Sequence, residues 1–253
     1  MAIRIFLNGC NGRMGKTIRL IIESSSDMVI AAGSDLHPDP SADFPVYADP
    51  GQCSEPFDVI VDFSSPSALP VLCDMIENRH SAAVICTTGL DDSLKNRLRN
   101  LSLSCPVFFS ANMSLGINLL IQLARQAARL LYPEFDIEII ETHHNQKVDA
   151  PSGTALMIAD QLNDELDQSL TYVYDRSQVR QKRDTRELGI HAIRGGSIVG
   201  DHTVLFAGPE ETLEIKHQAQ SRAVFARGAL AAARFLAGKP AGLYSMEDLI
   251  HRI

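Results

Sequence analysis

Cysteine is scarce and one-sided in this chain. Its five cysteines, Cys10, Cys53, Cys73, Cys86 and Cys105, are odd in number, form no CxxC pair and stop at residue 105. That distribution argues against a disulfide framework or a zinc ribbon and fits reduced, mostly buried thiols. Long apolar runs are missing as well: no stretch approaches the ~20 residues that span a bilayer. The start, Met1-Ala2-Ile3-Arg4-Ile5, enters a strand pattern at once and lacks the small-residue cleavage site of a signal peptide. Positive charge is in the minority, with 23 Lys and Arg against 31 Asp and Glu and a net charge of -8. A nucleic-acid partner would favour a basic surface, whereas a small anionic substrate needs only a few local cations. Internal repeats and low-complexity segments are absent too. What remains is 253 residues, 45% apolar and 21% charged. That is enough for two modest domains with a sizeable core, and a cytoplasmic location is expected.

The apolar pattern divides the chain. Residues 3–7 read as a short buried strand, followed by a glycine-rich loop and a helix with Ile18, Ile21 and Ile22 on one side. Strands fit 28–32, 58–63, 83–86 and 106–109, and helices fit 66–78 and 91–101. Between the second and third strands, Pro38, Pro40, Pro45, Pro50 and Pro56 predict a surface loop. This alternation predicts a parallel sheet wound on both faces, a Rossmann-like α/β unit. Ser114 caps a helix to about Leu131. After Pro133 the period changes: Phe135, Ile137 and Ile139 alternate with Asp136 and Glu138, the pattern of a half-exposed antiparallel strand. Further strand patterns at 189–194, 197–207 and 212–218 predict an open mixed sheet in a second, α+β unit. The basic passage 175–187 reads as a solvated loop. Val224–Leu236 is an Ala-rich helix, and a short capped one covers Ser245–Ile250. The tail is expected to return to the first unit, giving a discontinuous domain of residues 1–114 and 224–253 around a domain of 115–223.

Two motifs carry chemistry. Gly9-x-x-Gly12-x-x-Gly15 lies between a strand and a helix, where glycines permit a tight turn and let backbone amides approach a pyrophosphate. A tight turn with a packing glycine explains the triplet about as well. However, Asp35 ends the next strand 20 residues on, where an acid can accept from both ribose hydroxyls of NAD and repel the 2′-phosphate of NADP. The neighbouring Leu36 supplies no cation. NADH is therefore the expected reductant, with NADPH as the alternative because Arg13 and Lys16 are close in sequence. The loops Cys86-Thr87-Thr88-Gly89 and Ser110-Ala111-Asn112-Met113 follow the carboxyl ends of two more strands. They can line a nicotinamide ribose or be simple turns.

The second motif, Glu141 to Ala155 (Glu-Thr-His-His-Asn-Gln-Lys-Val-Asp-Ala-Pro-Ser-Gly-Thr-Ala), places two imidazoles, an ammonium and a helix start within fifteen residues. Imidazole titrates near neutrality and can deliver a proton. Lys147 is a point charge suited to a carboxylate, and the amides that open the following helix face an anion. A metal half-site is disfavoured because Asn145 and Gln146 add no ligand and the cysteines are far away in sequence. Asp149 reads as a turn or cap residue, Pro151 as a turn former, and Glu141 as a group that orients the motif. His191, His202 and His217 read as structural. Arg194 either flanks the site or forms a salt bridge.

On these residues the chain resembles the 4-hydroxy-tetrahydrodipicolinate reductase family over nearly its whole length. The resemblance rests on the Gly9–Gly15 loop, Thr87-Thr88-Gly89, Ser110 to Ser114, the Glu141–Ala155 block, Arg194 to Val204, Ser221-Arg222, and Phe225-Ala226-x-Gly228-Ala229. It implies a cofactor domain, a substrate and tetramerisation domain, and a homotetramer. It further implies that Gly9, Cys10, Asn11, Gly12, Arg13 and Met14 bind the dinucleotide phosphates and Asp35 the adenosine ribose. Cys86, Thr87, Thr88, Ser110, Ala111, Asn112 and Met113 would hold the nicotinamide half. His143 would be the proton donor, Lys147 its catalytic partner, and His144, Gly153 and Thr154 substrate contacts, with no metal. The implied substrate is a cyclic dicarboxylate in the diaminopimelate and lysine branch. Hydride from the nicotinamide adds to its ring while a proton is delivered nearby. Cys86 stands where the family usually has Gly, and Leu36 where NADP-tolerant members often carry Arg. Two other readings stay open on the residues alone: another two-domain dehydrogenase of small substrates, and a non-catalytic NADH sensor.

Overall fold

The computed structural model describes residues 2–251. The chain divides into two compact units, one made of the residues up to Leu115 together with those from Arg222 onward, the other of Gly116–Ser221.

In chain order the first unit opens with β1 (Ile3–Asn8), α1 (Arg13–Glu23), β2 (Met28–Ser34), β3 (Val46–Tyr47), β4 (Val59–Asp62), α2 (Leu69–Arg79), β5 (Ala82–Ile85), α3 (Asp92–Leu101) and β6 (Pro106–Phe109). The chain then runs through α4 (Leu115–Leu131), β7 (Asp136–His143), α5 (Gly153–Glu165), β8 (Thr171–Val173), β9 (Glu187–Arg194), β10 (Gly200–Ala207) and β11 (Thr212–Ala219). It closes with α6 (Ala223–Leu236), β12 (Gly242–Tyr244) and α7 (Met246–Ile250).

The first unit is a seven-stranded sheet in the order β12-β6-β5-β4-β1-β2-β3, with every pair parallel. Period-two alternation sends its side chains into two cores. Ile5, Leu7, Val59, Val61, Val84 and Phe108 pack with Ile18 and Ile22 of α1 and with Ala226, Ala229, Leu230 and Ala233 of α6. Phe6, Ile60, Ala83, Ile85 and Val107 pack with Leu69, Leu72, Cys73 and Ile76 of α2 and with Leu98 and Leu101 of α3. A sheet covered on both faces needs strands without a polar side, which is why these strands are short continuous apolar runs. The small residues of α6 allow close approach: a Cβ on Gly228 would overlap the carbonyl oxygen of Met113.

The second unit is a five-stranded mixed sheet in the order β11-β10-β7-β9-β8. β7 is central, antiparallel to β10 and parallel to β9. Ile137 and Ile139 of β7 join Ile190, Val204 and Phe206 in one core with α4 and α5.

Three short strands, β3, β8 and β12, appear where no strand is expected from sequence, and the strand expected at 197–207 starts only at Gly200. The basic passage 175–187 is also more than a solvated loop. Arg183 donates to Asp136 (2.7 Å) and Glu138 (2.9 Å) and to the carbonyl of Ile137, and Arg176 pairs with Glu187. Acids of β7 hold Arg183 to the sheet and the acid that opens β9 holds Arg176, which the local sequence of the loop could not reveal.

Candidate active site

In the first unit a cleft of about 510 Å³ lies at the carboxyl ends of β1, β2 and β4, lined in part by Gly9, Gly12, Asp35, Leu36, Asp49 and Phe63. The glycine loop is built for close backbone approach. Gly9 has φ +77, and a Cβ there would stand 2.7 Å from the carbonyl oxygen of Phe63; a Cβ on Gly15 would overlap Gly9. The Asp35 carboxylate accepts from the backbone N–H of Asn11 (3.0 Å) and of His37 (3.2 Å), so the acid that ends β2 also fastens the loop. Two acceptor positions are used and others remain on its oxygens. The glycine cradle and the acid at the end of the second strand fit a pyridine dinucleotide.

Of the residues expected to hold the cofactor, Gly9, Gly12 and Asp35 line this cleft. Asn11 is half-buried beside them, and Arg13 is exposed at the start of α1. Cys10 is wholly buried, and Cys86 and Met113 are 5% and 2% exposed in the core, so their side chains cannot reach a ligand without repacking. The Thr87 hydroxyl donates to Asp62 (2.6 Å), as do Asn8 Nδ2 (2.7 Å) and the Ser64 hydroxyl (2.6 Å). Burial pushes the Asp62 carboxyl up against the pull of these donors. Asp62 thereby ties together the ends of β1, β4 and β5 and fixes Thr87. Thr88, Ala111 and the half-buried Ser110 remain accessible after β5 and β6, whereas Asn112 is buried and accepts from the N–H of Ser114. Phe63, Ser64 and Ser65 also line the cleft. Sequence reasoning passed over them, although their place at the end of a parallel strand was a usable signal.

The second unit gathers its polar groups at the end of β7. The alternation that buries Ile137 and Ile139 continues to Glu141 and His143, so an acid and an imidazole face the core. Glu141 is fully buried and His143 is 8% exposed. The Glu141 carboxylate meets four nitrogens: Nδ1 of His143 at 2.6 Å, Nη1 and Nη2 of Arg194 at 2.8 and 2.7 Å, and the backbone N–H of Ser152 at 3.0 Å. Burial raises the Glu141 pKa, but the bonds from Arg194, His143 and Ser152 outweigh it and hold the carboxyl below its ordinary value. Arg194 is held above its ordinary value by the same carboxylate.

His202, opposite Glu141 in β10, stands edge to face with His143 at 5.2 Å and 77°. Its Nε2 lies 3.2 Å from the Ser152 hydroxyl, which caps α5 by accepting from the N–H of Ala155. Burial first, then the neighbouring His143, pushes His202 down to about 4, so its ring is neutral. Of the three histidines read as structural, His202 is therefore part of this cluster, while His191 pairs with Glu138 on β7. Arg194 does form a salt bridge, and it does so inside the cluster. Lys147 Nζ lies 2.9 Å from the Asp149 carboxylate, which also accepts from the backbone of Gly153. His144 and Thr154 are half-buried and Gly153 is exposed in the same β7–α5 connection. Among the described residues, no three of His, Cys, Asp and Glu converge so as to hold a metal ion.

The arrangement sets an imidazole against a buried carboxylate, in the same connection as a lysine and the start of α5. The chain is similar to known proteins in sequence and in fold. Residues 3–113 match the family model of the dihydrodipicolinate reductase N-terminus and residues 116–250 that of its C-terminus. The 4-hydroxy-tetrahydrodipicolinate reductase of Caldanaerobacter subterraneus subsp. tengcongensis is 49% identical, with 100% of each chain covered. That of Clostridium tetani is 48% identical, covering 99% of this chain and 98% of the relative. Among solved structures, a dipicolinate-bound dihydrodipicolinate reductase from Paenisporosarcina sp. TG-14 superposes with a TM-score of 0.81 at 23% identity, covering 97% of this chain and 98% of the other.

Proposed function

The chain belongs to the dihydrodipicolinate reductase family and is an oxidoreductase that reduces 4-hydroxy-tetrahydrodipicolinate with a pyridine nucleotide in diaminopimelate and lysine biosynthesis; within that activity we propose the division of labour that follows. The first unit is the dinucleotide-binding domain and the second the substrate-binding and oligomerisation domain. NADH is the preferred reductant. The support is electrostatic: the cleft beside Gly9 and Gly12 is lined by two carboxylates, Asp35 and Asp49, and by no Lys or Arg. A 2′-phosphate beside these two carboxylates would meet their negative charge.

The reduced nicotinamide, when bound, supplies the hydride. The protein's own residues bind the two partners and deliver the proton. Gly9 to Met14 hold the pyrophosphate through backbone amides, Asp35 the ribose, and Cys86 to Thr88 with Ser110 to Met113 the nicotinamide half, the buried members of these loops through backbone atoms. His143 is the proton donor, because an ionised Glu141 can only accept and so fixes the Nδ1 proton, leaving Nε2 to carry the one that is transferred. Lys147 is its catalytic partner and stabilises the charge that develops in the reaction, while His144, Gly153 and Thr154 contact the carboxylates of the cyclic substrate. A homotetramer working in the cytoplasm completes the proposal. Half-exposed Ile193 and Leu213 on the second unit's sheet favour assembly, and five free thiols favour a reducing compartment.

The single observation that carries this reading is the buried Glu141–His143 pair at 2.6 Å beside the start of α5. The test is turnover of freshly generated substrate with each reduced cofactor. His143→Gln should lower kcat by roughly 10²–10⁴ with little change in KM. Lys147→Ala should impair both kcat and KM. A loss on His143→Gln confined to KM would reassign His143 to binding, and tenfold tighter binding of NADPH than of NADH would overturn the cofactor preference.

A further inference from the structure

Glu141 does more than accompany His143. Four donors from three parts of the chain converge on its two oxygens. Oε2 meets His143 Nδ1 and Arg194 Nη1; Oε1 meets Arg194 Nη2 and the backbone N–H of Ser152. A neutral amide cannot take its place, since it would offer one acceptor oxygen and turn an NH2 toward the remaining donors. The Ser152 N–H opens α5, and the Ser152 hydroxyl caps that helix and touches His202. One carboxylate thus joins the proposed proton donor to the helix start proposed to grip the substrate.

We infer that Glu141 is a positioning residue for the reduction: with Arg194 as its counter-ion, it keeps a proton on Nδ1 of His143, so that the imidazolium gives up its Nε2 proton and is left as the Nδ1–H form, and it registers that ring against the N-terminus of α5. The inference rests on the reading of His143 as proton donor. The arrangement has a clear physical basis. Arg194 binds the carboxylate through two parallel N–H bonds, which defines the plane of the carboxylate and hence the direction from which His143 must approach. The His202 ring packs edge to face with His143 at 5.2 Å. His143 therefore has one orientation, and its Nε2 faces the side-chain-free Cα of Gly200.

The test uses the full-length protein, NADH and freshly generated substrate. Glu141→Gln should lower kcat by at least about tenfold, within the roughly 10²–10⁴ that the acid itself can supply. It should leave the NADH dissociation constant unchanged, because that site is built by the other unit. Glu141→Asp, which keeps both acceptor oxygens, should recover part of the loss. Combined with His143→Gln, Glu141→Gln should cost little more, since the two act as one unit. Nitrogen NMR of the neutral His143 ring should show the Nδ1–H tautomer in the parent and lose it in Glu141→Gln. If Glu141→Gln turns over within about twofold of the parent while His143→Gln is crippled, or if the two losses multiply, the inference fails and the proton-donor reading stands. An Nε2–H tautomer in the parent also overturns it, with no variant required. If His143→Gln itself is nearly silent, the proton-donor reading falls first.

Discussion

Replacing Gly200 by Ala should harm this protein, although the same change in an ordinary strand helps it. Gly inside a strand is worse than Ala by about 0.5–1 kcal/mol, so a neutral site would gain stability. Gly200 opens β10, opposite Ala219, and nothing in its backbone requires a glycine. The obstacle is His143. A Cβ at position 200 would stand 2.9 Å from its Nε2 and 3.3 Å from its Cδ2, where ordinary contact begins at 3.4 Å. The ring must retreat by about 3.4 − 2.9 = 0.5 Å. It cannot do so freely, because Nδ1 is held at 2.6 Å by Glu141 and the ring edge rests against His202. Overpacking of this kind costs about 1–3 kcal/mol, which leaves a net destabilisation of up to about 2.5 kcal/mol. If His143 delivers the proton, a displacement of that size should lower kcat on the order of tenfold, since about 1 Å of misplacement costs about 10²-fold. Denaturant unfolding measures the first quantity and steady-state turnover the second. If the first unit builds the dinucleotide site, as proposed, NADH binding should be unchanged. A variant as stable as the parent and equally fast would show that the ring is not held against Gly200, and the orientation assigned to His143 would be wrong.

The other predictions concern charge. Asp35→Ser combined with Leu36→Arg should shift kcat/KM toward NADPH by about tenfold or more, by exchanging a repelling acid for a phosphate-binding cation; a retained NADH preference would remove Asp35 from the ribose site. Asp149 holds Lys147 and the backbone of Gly153; if these groups grip a substrate carboxylate, as proposed, it must displace Asp149, and Asp149→Asn should lower the substrate KM by a few fold with kcat nearly kept, whereas a raised KM would mean that Asp149 builds the site instead. His202 protonates near 6.5 in the unfolded chain and near 4 in the fold. Between those values the unfolded chain binds more protons, so its share of stability is complete above about pH 6.5 and lost as pH falls toward 4, by up to about 3 kcal/mol. His202→Gln should flatten the dependence of Tm on pH in that window, and an unchanged slope would show that His202 is not the titrating group.

The doubly wound sheet was legible because its strands are runs such as Ile5-Phe6-Leu7 and Val59-Ile60-Val61, apolar at every position, set between amphipathic helices. The mixed sheet was legible from the alternation around Ile137 and Ile139. The strands β3, β8 and β12, of two or three residues, carry too little pattern to show a period, and pairing along a neighbour makes them strands. In the second unit, everything from Glu141 to Thr154 lies on one continuous segment, so its chemistry could be read in order. Extending the alternation two steps past Ile139 even puts Glu141 and His143 on the buried side.

Sequence alone therefore determined which residue types sit together locally: a glycine loop after a strand, an acid at the end of the next, and two imidazoles and a lysine before a helix start. Only the tertiary structure decided which distant residues complete them. Arg194 meets Glu141 through the pairing of β7 with β9, and His202 meets His143 through the pairing of β7 with β10. Strand register is a long-range choice set by how whole faces pack, and no local pattern encodes the partner. The need for glycine at 200 is of the same kind, because it comes from a ring 57 positions earlier in the chain.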